Sequence, residues 1–170
     1  MKSSTLRFLA VAAATLTLSA PSAQARDLGL NLDDLLKNLT NSAAAAGSPL
    51  KTKKVGCREN KKPGDATKTI ISCSHLLGTG KILITNADPS GPLIDVNTQR
   101  WDAGDNGPAA NMVSWLAAAL TKTEPASHMA TSNKAVKQAQ ANKTSATDID
   151  GFSFVMMDFG NSMVISVSRN

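Results

Sequence analysis

The sequence predicts an α+β fold: an antiparallel sheet of about six strands, built as a meander followed by a C-terminal hairpin, with an N-terminal helix and a central helix packed on one face. Three observations lead there. Apolar residues recur at helical spacing near residue 30 and again between 112 and 120. Between 50 and 100 the period shortens to that of strands, with β-branched residues separated by the turn sequences KKPGD, LGTG and DPSGP. Those connections are too short for the crossover that parallel neighbours require, so the strands must run antiparallel.

The address comes first along the chain. Lys2 and Arg7 precede an apolar run from Phe8 to Leu18 and a small-residue site, Ala23-Gln24-Ala25, the pattern of a secretory signal peptide cut after Ala25. As a helix that run reaches only about 16 Å, roughly half the hydrocarbon thickness of a bilayer, so no stable membrane insertion is expected after cleavage. No cysteine lies near the cut, so no lipid anchor is expected either. The mature chain is accordingly expected in the periplasm or outside the cell. Losing Lys2 and Arg7 lowers the formal net charge from +5 to +3. With 42% hydrophobic and 18% charged residues in all 170, neither a disordered chain nor a multi-span membrane protein fits. The segment 26 to 49 is read as a helix and hinge, and 50 to 170 as the α+β domain that forms one globular unit with it.

In the stretch 27 to 40, Leu28, Leu32, Leu35, Leu36 and Leu39 fall on one helical face, and SAAAAGSP at 42 to 49 reads as a hinge with Gly47 and Pro49 as stops. Strands are expected at 51 to 59, 67 to 76, 81 to 87 and 92 to 99. The segment 101 to 122 then places Met112, Trp115, Leu116, Ala119 and Leu120 at the spacing of a second helix, with Pro108 in its first turn and Asp105 or Asn106 as its cap. The polar segment 123 to 147 offers at most a short helix at 128 to 141, with Met129, Val136 and Ala139 inward. Gly160-Asn161 marks a tight hairpin turn. If Phe159 faces Ser162, then Phe154 opposes Val167 and Met156 opposes Ile165. That register puts Phe152, Phe154, Met156, Met163, Ile165 and Val167 on a core face, and Ser153, Ser166 and Ser168 with Val155, Met157 and Val164 on the other.

Cys57 and Cys73 are the only cysteines, and in an oxidising compartment they are expected to form one disulfide across a hairpin whose turn contains Pro63-Gly64-Asp65. A redox-active pair usually sits closer, as Cys-x-x-Cys, and a zinc site needs more ligands than two Cys and two distant His provide. No metal or cofactor is expected. From Lys51 to Lys68 the chain carries seven bases, Lys51, Lys53, Lys54, Arg58, Lys61, Lys62 and Lys68, against two acids, Glu59 and Asp65. A stapled cationic finger of this kind suits carboxylates or phosphates of a partner. The alternative reading of the lysines is protection of a sheet edge against aggregation.

Catalytic patterns are sparse. His75 follows Cys73 by two residues and reads as a satisfied structural histidine beside the disulfide, while His128 reads as solvated surface. There is no Gly-x-Ser-x-Gly elbow. Asp102 and Asp105 in the loop around Trp101, or Asp88 and Asp95 around a turn, are the paired carboxylates that an exported wall-cleaving hydrolase would use. Nucleic-acid binding is not expected, because the basic hairpin carries no aromatic residue on which a base could stack. The leading expectation is therefore a small exported, non-catalytic binding module recognising a protein or an anionic envelope component, possible classes being inhibitor or immunity-type proteins. A cell-wall or ester hydrolase using Asp102, Asp105 or His75 is the first alternative, and a structural subunit of an envelope or secretion assembly the second.

Overall fold

A computed structural model describes residues 27–62, 64–78, 80–101 and 106–170, with Arg100, Trp101 and Asn106 described by their backbone alone. The expected leader, Pro63 of the first turn, and both Asp102 and Asp105 lie outside the described residues. The elements run in the order α1 (Leu32–Ala45), β1 (Thr52–Lys62), β2 (Asp65–Leu77), β3 (Lys81–Ala87), β4 (Leu93–Trp101), α2 (Asn106–Thr121), α3 (Pro125–Asn142), β5 (Thr144–Ile149), β6 (Phe152–Asp158) and β7 (Met163–Arg169). The fold is α+β. The seven strands among the described residues form one sheet in the order β1-β2-β3-β4-β7-β6-β5, with every pairing antiparallel.

The first helix starts later than leucine spacing alone implies. Gly29 adopts φ +78, and the segment before α1 pairs instead with the start of β4, Leu28 N–H donating to the Leu93 carbonyl at 2.7 Å and Leu93 N–H to that of Leu30 at 3.0 Å. Asn31 then caps the helix, its side chain accepting from Asp34 N–H, with Asp33 and Asp34 set favourably in the first turn. The alanines read as a hinge are good helix formers and continue α1 to Ala45, where Gly47 at φ +73 ends it. Leu35, Leu39 and Ala43 are buried.

The α2 segment is apolar on more than one face, and from Ala109 to Leu120 all but half-exposed Asn111 are buried. Its alanines let neighbouring elements approach closely. A helix of this kind must be covered all round, and α1 and α3 both pack against it. The polar stretch after it forms an 18-residue helix, longer than expected, with Val136 and Ala139 buried and Met129 packed partly against the core.

Beyond α3 comes β5, a seventh strand that the sequence reading lacks. Its inward positions are Ser145, Thr147 and Ile149 while Ala146 points out, so hydrophobic alternation is missing. Ser145 Oγ is satisfied by donating to the Ala135 carbonyl at 2.7 Å.

The C-terminal hairpin has the expected register, Phe154 opposite Val167 and Met156 opposite Ile165, with Phe159 N–H donating to the Ser162 carbonyl. Phe152, Phe154, Met156, Met163, Ile165 and Val167 are all buried in the core that includes the helices. Apart from buried Ile70, the opposite sheet face is half-exposed or exposed among the described residues. One row of paired positions crosses it through all seven strands as Arg58, Ser72, Asn86, Asp95, Ser168, Ser153 and Asp148, every one of them polar.

This one-sided burial has a measurable consequence. Phe154→Ala removes a fully buried ring and is expected to cost about 3 to 5 kcal/mol. Val155→Ala, on the half-exposed face, is expected to cost about 1 kcal/mol or less. Urea unfolding midpoints check both, and equal losses would contradict the assignment of faces.

Candidate functional site

The charged hairpin is β1 and β2, longer than the sequence turns imply because pairing continues down to Lys62 and Asp65. Gly64, at φ +81, supplies the positive angle that a tight reversal needs. Cys57 and Cys73 are directly opposite each other and bonded, with Cα atoms 4.0 Å apart. That separation belongs to the non-hydrogen-bonded kind of antiparallel pair, in which both residues turn their N–H and C=O away from each other.

Among the described residues β1 stands at the end of the sheet, with β2 as its one strand neighbour. From Lys53 to Glu59 every residue is exposed, with no alternation, so neither face of this stretch is covered. Val55 is 64% exposed, rare for a large apolar side chain here. Around it the register shifts between Lys54 and Gly56, a bulge that changes the parity of everything before it.

The bulge decides where the cations lie. Arg58 pairs with Ser72 and Lys53 with Leu76, which places both on the open face. Lys54 opposes His75 and Lys61 opposes Thr69, on the face of Cys57, Cys73 and the helices. Lys62 and Lys68 lie near the turn end, where they add to the hydrogen bonds from Ser90 in lowering the Asp88 carboxyl. Lys68 also forms an ion pair with Asp65 at 3.7 Å. Lys51 precedes the strand, its carbonyl accepting from Gly78 N–H. Of the seven cations, Lys53 and Arg58 lie on one face of the hairpin and Lys54 and Lys61 on the other, while Lys62 and Lys68 gather at the turn end and Lys51 lies before the strand, so no single flat patch collects them.

The other candidates separate. Asp88 is a turn residue, its carboxylate accepting from Ser90 N–H and Oγ. Asp95 sits on the open sheet face, where it accepts from Asn86 Nδ2 at 2.7 Å and Asn97 Nδ2 at 2.8 Å; Asn86 in turn accepts from Ser72 Oγ at 2.5 Å. Burial raises the Asp95 carboxyl, opposed by those amide hydrogen bonds and by Lys62.

His75 is 3% exposed, on the same face as buried Cys73, and its Nδ1 has no hydrogen-bond partner among the described residues. It is beside the disulfide as expected, but its Nδ1 is not satisfied there. Burial first and Lys54 second push its imidazole below the ordinary value, with Asp33 acting the other way. His128 also departs from expectation: it is buried, with its Nε2 2.6 Å from Thr123 Oγ1, and it ties the α2–α3 corner together.

Among the described residues no group of three or more His, Cys, Asp or Glu is gathered to hold a metal ion. No described helix is long and apolar enough to cross a membrane. No protein-family model, curated protein or solved structure matches the chain.

Two measurements test this geometry. Reduction of the disulfide, or Cys57→Ser with Cys73→Ser, is expected to cost about 3 kcal/mol of stability, because it reopens a loop spanning 16 positions. Chemical denaturation with and without reductant reads the loss, and no loss would contradict a stapling role.

For His75, the unfolded chain takes up the proton near the ordinary value of 6.5 and the folded chain only at lower pH. Its contribution is therefore fully present above 6.5 and declines as pH falls through the folded value. Unfolding midpoints at about pH 7.5 and about pH 5 should show that decline in the native protein and a shallower one in His75→Leu.

Proposed function

We propose that this protein is an exported, non-catalytic binding module that recognises an anionic partner, a protein or an envelope component, through the β1–β2 hairpin. The carrying observation is a ribbon left bare on both faces from Lys53 to Glu59, tethered by a disulfide and bordered by Lys53, Lys54, Arg58 and Lys61. A strand whose side chains serve no core is free to serve a ligand. Export is supported by the leader pattern at 1 to 25 and by the closed cysteine pair.

The arrangement favours binding over hydrolysis because the one histidine offered as a base is enclosed under the helices. It also qualifies edge protection as the whole reason for the lysines. A lysine or two would suffice to deter aggregation.

Exposed charges on a ribbon act through a field that salt screens over about 8 to 10 Å. Two immobilised probes test the reading, soluble polyglutamate and a phosphate-bearing lipopolysaccharide. The native mature chain is expected to bind at least one, more weakly as salt rises. The charge reversal Lys53→Glu, Lys54→Glu, Lys61→Glu is expected to lose binding by about tenfold or more while keeping its fold. Equal binding by the reversed protein, or binding of neither these probes nor any acidic peptide, would overturn the proposal.

A further inference from the structure

We infer that the free edge of β1 accepts an extended acidic segment of a partner protein as an eighth strand of the sheet. This deepens the binding reading above and rests on it, by naming the partner's chemistry and the way it is held.

The backbone is arranged for it. Because Cys57 and Cys73 form a non-hydrogen-bonded pair, Cys57 turns its N–H and C=O towards the open edge, and ladder alternation turns those of Glu59 and Lys61 the same way. From Gly56 to Lys61 the register runs without a shift, so this stretch presents a regular template of donors and acceptors with no backbone partner among the described residues. Sheet edges of this kind are what extended peptides add to, through main-chain hydrogen bonds.

The side chains explain which peptide. A strand laid along β1 sends alternate side chains to opposite faces. On the open face they would meet Lys53 and Arg58, and on the helix-facing side Lys54 and Lys61. The division of cations between faces, which breaks up a flat patch for a polymer, gives a guest strand positive neighbours on both of its sides. Glu59 is the one acid among them and fixes the site of a neutral or basic guest residue. A shallow depression on the open face at Gly56, bordered by Val55, Arg58, Ser72 and Ser74, has room for one guest side chain, an acid reaching Arg58. The same charges repel a second copy of β1, so the edge discourages self-pairing while admitting an acidic chain.

The experiment separates strand addition from attraction by charge alone. The probe is a ten-residue capped peptide alternating Glu with Thr and Val, beside the same peptide N-methylated at every second residue, which keeps its charge but cannot complete the ladder. The protein is compared with Glu59→Pro, a substitution that removes an outward N–H without breaking a β1–β2 hydrogen bond and makes the hairpin more positive. Strand addition predicts that the unmethylated peptide slows amide exchange at Cys57, Glu59 and Lys61, and that methylation and Glu59→Pro each weaken binding by about tenfold or more.

Equal binding of both peptides, equal or tighter binding by Glu59→Pro, or binding of polyglutamate or lipopolysaccharide without any of the acidic peptide would overturn the inference and leave the anionic-partner reading standing. Binding of no probe at all would remove both. Should Glu59→Pro fail to fold by circular dichroism, the methylated peptide alone decides.

Discussion

β1 has no layer to bury against, and everything distinctive about this molecule follows from how it is nevertheless held. The other strands are anchored by side chains that enter the helical layer, Leu83 from β3, Val96 from β4 and Phe154 from β6 among them. β1 relies on its ladder to β2 and on the Cys57–Cys73 bond. A two-stranded ribbon is marginal in water without a packed face. A cross-link that limits the freedom of the unfolded chain is the simplest way to keep such a ribbon formed while leaving its side chains unspent.

The sheet has two unlike surfaces, and strand alternation builds both. One is dry and packed under α1, α2 and α3. The other carries a polar row from Arg58 to Asp148 with the Ser72, Asn86, Asp95 and Asn97 hydrogen bonds in it. Those bonds hold Asp95 within a side-chain network even though burial disfavours its charge. The network ends towards Arg58 on β1, so the open face and the free edge meet at the same side chain.

Much of this was legible in the sequence, for identifiable reasons. Gly160-Asn161 fixed the register of the last hairpin because one slip would have turned Phe154 and Ile165 to solvent. The Cys57–Cys73 pairing was legible because only two cysteines exist and a turn lies between them. β5 was not, since its inward Ser145 and Thr147 are polar and its outward Ala146 is apolar, the reverse of the usual signal. The start of α1 was misplaced because Leu28 satisfies helical spacing while actually pairing with Leu93. The cations were legible as a cluster but not as two rows. A bulge at Val55 switches the side of Lys53 relative to Arg58, and no residue type announces it.

The central claim is that the exposed edge around Val55 and Glu59 is where a partner sits. Site-specific photo-crosslinking in intact cells tests it most directly, with a benzophenone side chain introduced in turn at Val55 on β1 and at Thr144 on the opposite edge strand β5. The account predicts a discrete protein adduct from Val55 that disappears when Lys53, Lys54 and Lys61 are reversed in charge, and none from Thr144. Adducts from Thr144 with none from Val55 would contradict it.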